Sequence, residues 1–172
     1  GHDGAGIAFG GAGQGELVGT GVGHGASGVD FLKTDLTLSA WIRVDGDGTI
    51  VSSTSPEGPW VPDGKAFFVR GGRLAFDVGW VGCIEGRREV ADGRWHHAAL
   101  TWSHSSGRVR LFAGGELDGE GTLKPKGAVK GETMRIGVAA PDFPERSRLR
   151  GSIDGFTIHG RALAAAEVRV IA

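Results

Sequence analysis

Thirty-three of the 172 residues are glycine, more than twice the average usage of about 7%, and where they fall constrains the fold more than any other feature. They follow no G-X-Y period and sit instead between short runs of β-branched and aromatic residues. Glycine accepts a positive φ without steric cost, so this placement marks many tight turns joining many short strands.

The runs themselves alternate. LTLSAWIRV (36–44) puts Leu36, Leu38, Ala40, Ile42 and Val44 on one face and Thr37, Ser39, Trp41 and Arg43 on the other, the period of a half-buried strand. DGDG (45–48) turns it into TIVSS (49–53), and the Pro-rich loop TSPEGPWVPDG (54–64) follows. KAFFVR (65–70) and RLAFDVGW (73–80) flank a GG turn; HHAALTWS (96–103) and RVRLFA (108–113) flank an SSG turn. MRIGVA (134–139) and GSIDGFTIHG (151–160) complete the predicted strands, and only RALAAAEVRVI (161–171) offers helix formers. Around a dozen short strands with so little helix predict an all-β fold, a two-sheet antiparallel β-sandwich.

No linker, repeat or low-complexity tract divides residues 1–172, so one domain is expected, burying roughly 70% of its unfolded surface. Nineteen basic residues oppose 20 acidic ones without a basic cluster, a balance that points away from nucleic acid and from an anionic membrane surface. No apolar run approaches the ~20 residues that span a bilayer. Cys83 is the single cysteine, which excludes an internal disulfide and leaves the redox compartment open. The opening GHDGAG is compatible with a removed signal peptide, an excised module or an expression remnant at residues 1–4.

GGELDGEG (114–121) spaces Glu116, Asp118 and Glu120 at every second position, and in a strand such residues share a face. Retaining glycoside hydrolases use a carboxylate nucleophile and a carboxylic acid/base, so the triplet is the candidate catalytic set. Its surroundings argue otherwise. Gly119 and Gly121 interrupt the strand, Leu117 is the only apolar neighbour, and no aromatic ring lies in the segment. A general acid needs apolar enclosure or a coupled carboxylate to raise its pKa. A solvated sheet edge blunted by like charges is the expected role.

RLRGSIDGFTIHGRALAAAEV (148–168) resembles the closing motif of laminin-G-like jelly-roll domains of the concanavalin A-like lectin/glucanase group. LTLSAWIRV and DGRWHHAALTWSHSSGRVRLFAGGEL (92–117) agree with it in the same order, so the resemblance covers roughly residues 5–170. It implies a jelly roll, a setting outside the cytoplasm (extracellular or periplasmic) and a place in a larger exported bacterial protein, whose other domains are candidate partners. It also implies structural calcium, held by Asp154 with main-chain oxygens near Gly10, or by Asp142 and Glu145 in AAPDFPERSR (139–148). The chain departs from the family at FGG (9–11) and AGG (113–115), where relatives often carry aspartate. The fold alone does not choose a function, because it hosts lectins, hydrolases, lyases and adhesion domains.

Saccharides are held by aromatic rings laid against their C–H faces, flanked by a few polar groups. Trp41, Trp95 and Trp102 lie in the stretches shared with the family, and at least two of the three are expected to pack in the core or on a sheet face. Trp60 lies in the proline-stiffened loop PEGPWVPDGK, and Trp80 lies between glycines in FDVGWVGCIEG. These two are the candidate platforms, with Asp63, Asp77, Arg87 and Arg88 as hydrogen-bonding neighbours. His96 and His97 are adjacent and point to opposite faces, which gives no metal site. The expected function is therefore a noncatalytic, lectin-like module that binds a polysaccharide or glycan. A structural or protein-interaction domain is the alternative, and a hydrolase or lyase using Glu116, Asp118 and Glu120 the third reading.

Overall fold

The structure, a computed structural model, describes residues 7–9, 17–19, 34–55, 59–129, 132–145 and 147–172. Twelve strands are found among them: β1 (Ile7–Phe9), β2 (Leu17–Gly19), β3 (Leu36–Val44), β4 (Gly48–Thr54), β5 (Lys65–Arg70), β6 (Arg73–Val78), β7 (Gly82–Glu89), β8 (Trp95–Ser103), β9 (Arg108–Ala113), β10 (Glu116–Thr122), β11 (Thr133–Ile136) and β12 (Gly151–His159). They form two six-stranded sheets. Sheet A runs β1-β12-β3-β8-β9-β10 and sheet B runs β2-β11-β4-β5-β6-β7. Every pairing is antiparallel, so the predicted sandwich is what forms.

The turns show why the glycines are where they are. Gly71 and Gly72 between β5 and β6 have φ of 54° and 77°, and Gly114 and Gly115 between β9 and β10 have 58° and 76°. A two-residue hairpin whose twist matches its strands needs positive φ at both positions, which glycine alone meets without strain. Register follows, with Arg70 opposite Arg73 and Ala113 opposite Glu116.

Between the sheets lies one continuous core. The predicted inner face of β3 (Leu36, Leu38, Ala40, Ile42, Val44) meets Phe67, Val69, Leu74, Phe76 and Val78 of sheet B and Leu100, Trp102, Val109 and Leu111 of sheet A. Lys65 is the exception: it is 1% exposed on the core side of β5. Its ammonium is satisfied by Glu132 at 2.9 Å, by the Asp63 carbonyl at 3.0 Å and by the face of Trp102, 5.7 Å from the ring centre. A buried charge survives only when paired and hydrogen-bonded in this way.

β7 carries almost no strand signal in its residues, since Ile84 alone reaches the core cluster while Gly86, Arg87 and Arg88 break the alternation. β6 ends at Val78, two residues short of the run predicted over 73–80. The closing segment forms the short helix α1 (Ala165–Val170), which buries Val168 with Leu163 against Ala99 and Phe112 on the outside of sheet A. The outer face of sheet B is therefore left to loops.

Candidate functional site

On β5, β6 and β7 the residues that alternate with the core point outward: Ala66, Phe68 and Arg70, then Ala75 and Asp77, then Cys83 and Glu85. Half of this face is dry. Ala139, Ala140 and Phe143, from the loop after β11, cover Ala66, Phe68 and Ala75 together with Trp60. The other half is charged. Arg70 donates to Glu145 at 3.0 Å, forms a close ion pair with Glu85 and donates to the Cys83 sulfur at 3.4 Å.

Burial pushes the Asp77 carboxyl up to about 6, with Arg70 opposing and Glu145 adding to the rise. Burial also pushes the Cys83 thiol up to about 11, which keeps it protonated and unreactive. Desolvation alone lowers the Arg70 guanidinium, but the hydrogen bonds it donates to Glu145 and Glu85 outweigh it and hold its pKa above the ordinary value. The result is a half-buried, polar, pre-positioned set beside an apolar wall.

At the rim of this face stands Trp80, on the turn between β6 and β7. Its side chain is 66% exposed, and its φ is 58°. A bulky residue in the left-handed region costs on the order of 1–3 kcal/mol and persists only where its surroundings dictate it. Here they do. The Gly79 N–H donates to the Gly64 carbonyl at 2.8 Å, and the Asp63 N–H donates back to the Gly79 carbonyl at 2.9 Å. Asp63 is itself left-handed, with φ of 61°, and its Oδ1 accepts the Lys126 N–H at 2.8 Å. Gly79 has no room for a side chain: a Cβ would lie 2.4 Å from the Val61 carbonyl. The loop of Val61, Asp63 and Gly64, itself held by Lys126, therefore braces the turn that carries the exposed indole.

Trp60 corrects the expectation of a second platform. It is only 7% exposed, its ring meeting Phe143 edge-on at 4.7 Å between centroids, and its main-chain N–H is held by Asp142 Oδ1. The prolines around it stiffen a loop folded back onto sheet B, where the ring seals the apolar half of the face. Asp63, 8% exposed with its carboxylate turned to Lys126, braces the loops rather than facing a ligand. Asp77 stays on this outer face, opposite Cys83, whereas the exposed Arg87 lies four residues further along β7, beyond Glu85, and is not brought beside it. Arg88 instead ties β7 to β9, donating to the Ala113 carbonyl at 3.2 Å.

The residues expected to hold calcium do not converge. Asp154 lies on sheet A opposite Trp41, where its Oδ1 accepts the Gly155 N–H at 2.8 Å at a break in register. Asp142 and Glu145 sit over sheet B, bonded to Trp60 and Arg70, and Gly10 lies outside the described residues. Among the described residues no three acids, histidines or cysteines group as a cation would need. Calcium takes about six to eight oxygen ligands, and Asp154 stands on sheet A, apart from Asp142 and Glu145 over sheet B.

The acidic triplet separates too. Glu116 pairs with Arg169, in two contacts of 3.1 Å, and Glu120 with Arg108 at 3.0 Å. The Arg108 hydrogen bond holds Glu120 below its ordinary carboxylate range, the reverse of what a general acid needs. Asp118 departs from the expected solvated edge: the register shifts between Leu117 and Gly119, and the bulge turns its carboxylate inward, 5% exposed, to accept the Arg88 N–H at 3.0 Å. What sequence reasoning missed is Arg70 and Glu85: Arg70 lies ten residues from the nearest tryptophan, and Glu85, though in the same stretch as Trp80, is tied to the site only by the β5–β6–β7 register that sets it beside Arg70.

A family model for the concanavalin A-like lectin/glucanases superfamily, of laminin G type, matches residues 16–169. The Sushi, von Willebrand factor type A, EGF and pentraxin domain-containing protein 1 of Rattus norvegicus is 38% identical over 50 residues, which are 26% of this chain and 1% of that protein. The chain thus spans a very small part of that relative's length. Two solved structures are similar in fold. The CBM40 of the Ruminococcus gnavus IT-sialidase, bound to α2,3-sialyllactose, is 12% identical with a TM-score of 0.67, covering 80% of this chain and 82% of that one. Domain 4 of AbnA, an extracellular arabinanase of Geobacillus stearothermophilus in complex with arabinotriose, is 20% identical with a TM-score of 0.63, covering 82% and 68%. With the family model running from before β2 into α1, and both sheets in place, the chain belongs to the concanavalin A-like lectin/glucanase superfamily.

Proposed function

We propose that this domain is a noncatalytic, lectin-like module that binds a polysaccharide or glycan on the outer face of sheet B, in a protein that works outside the cytoplasm. The observation that carries this reading is Trp80: an indole two-thirds exposed, with a backbone in a costly conformation on a turn pinned through Gly79 to the Asp63–Gly64 loop. A stacking platform fixed before binding loses little conformational entropy when a sugar ring lands on it. Asp77, Arg70 and Glu85 then supply charged donors and acceptors a few residues inside the rim. Two neighbours of the same fold carry saccharides, sialyllactose and arabinotriose, which favours a sugar over other small ligands. The separated carboxylates of β10 favour binding without hydrolysis.

The test is a glycan and polysaccharide array probed with the domain and with Trp80→Ala. Saccharide hits weakened at least about tenfold in Trp80→Ala support the reading, on the scale of one lost stacking contact. A folded domain that binds nothing on the array, yet self-associates or captures a protein, replaces it with an interaction module.

A further inference from the structure

Far from Trp80, where β3 ends and β12 begins, a cleft of about 510 Å³ is lined by Arg43, Asp45, Gly93, Arg150, Gly151 and Ser152. Its size is within the ~300–1,000 Å³ of small-molecule sites, far more than an inorganic ion fills. Its floor is bare for a steric reason. Gly151 admits no side chain, because a Cβ would lie 2.2 Å from the Arg43 carbonyl, and Gly93 adopts a φ of 77°. Elsewhere exposed arginines beside acids are paired, as in Arg161–Glu167 at 2.7 Å and Arg169–Glu116 at 2.9 Å. Arg43 and Arg150 share their cleft with Asp45, yet among the described residues neither lies within ion-pair distance of a carboxylate. Arg43 instead lies over Trp95, 5.3 Å from the ring centre, which orients its planar fork. Register sets Ser152 and Trp95 on either side of Arg43 across three strands.

We infer that this cleft is a second binding site, for a carboxylate-bearing saccharide residue. The two guanidinium groups take the carboxylate, since paired arginines match the geometry of a planar oxyanion. The glycine floor lets the sugar ring approach the backbone, and Asp45 and Ser152 meet its hydroxyls. The site is independent of Trp80, because it lies on the other sheet and selects by charge.

The test is indole ¹H–¹⁵N NMR on the whole chain titrated with trigalacturonate, with neutral galactotriose and with sodium sulfate, Trp95 being assigned through Trp95→Phe. The expected result is a saturable shift of the Trp95 indole with trigalacturonate, weaker as salt is raised and weaker by at least about tenfold in Arg43→Gln and in Arg150→Gln. Both variants change exposed side chains, and retained dispersion of the other indole signals verifies their fold. Galactotriose should leave Trp95 unmoved. A silent Trp95 indole, or unchanged affinity in both variants, overturns the site. An equal response to sulfate overturns the saccharide class and leaves an adventitious ion only. The Trp80 indole reports in the same spectra, so failure here and failure at Trp80 are read separately.

Discussion

Trp60 and Trp80 lie on loops braced against each other, yet they do opposite work, and the difference is enclosure. Trp60 buries its ring between Phe143 and the outer face of β5. Trp60→Ala should therefore cost about 3–5 kcal/mol of stability by chemical denaturation. Trp80 contributes no such burial and holds a left-handed backbone. Trp80→Gly should raise stability by about 1 kcal/mol while abolishing saccharide binding. Asp77 adds a pH dependence. Its folded pKa is about 6, above the ordinary value of 3.8, so its contribution to stability is full below about pH 4 and lost as pH rises through 6. His97, lowered to about 4 by burial, has the opposite slope over the same window. The difference in Tm between Asp77→Asn and the parent, followed from pH 4 to 7, isolates the carboxylate. Saccharide affinity should fall as pH drops through 6, because the ionised Asp77 is the stronger acceptor, and Asp77→Asn should remove that dependence.

At the scale of elements, the pair β7 and β10 closes one edge of the sandwich. A Cβ on Gly119 would lie 2.5 Å from the Glu85 carbonyl, and one on Gly86 would strike the Asp118 carboxylate. The glycines that seem to break β10 are what let it dock. Gly119→Ala should destabilise the domain by more than about 1 kcal/mol, because the obstacle is backbone and cannot swing away. Glu116→Gln and Glu120→Gln remove exposed ion pairs and should each change stability by under about 1 kcal/mol. Asp118→Ala removes the buried carboxylate that accepts the Arg88 N–H and should cost about 1–3 kcal/mol. All three variants should retain saccharide binding in an array, whereas loss of binding in Glu116→Gln or Glu120→Gln would reopen a role for the triplet.

Over the whole molecule, the strands with clear alternation were legible from residues alone. β3, β5 and β9 begin and end where the pattern predicts, and the glycine pairs fix two hairpin registers. β7 was not legible, because Glu85, Arg87 and Glu89 fill most of its outward side and Gly82 and Gly86 leave Ile84 as the lone apolar residue facing the core. The candidate site was half legible. Trp80 stands out in sequence by its flanking glycines. Arg70 and Glu85 meet Asp77 only through strand pairing, and the fate of Trp60 turns on Phe143, 83 positions along the chain. The inward Lys65 depends in the same way on the distant Glu132. Local pattern sets the strands, and long-range register sets the chemistry between them.

The central claim, that Trp80 is the platform on which a saccharide lands, is tested most directly by indole ¹H–¹⁵N NMR of all five tryptophans during titration with the strongest saccharide hit from the array. The expected result is a saturable shift of the Trp80 indole, with Trp60 and Trp102 unmoved because both are buried. A saturating saccharide that leaves the Trp80 indole where it was would contradict the claim and move the binding site elsewhere on the domain.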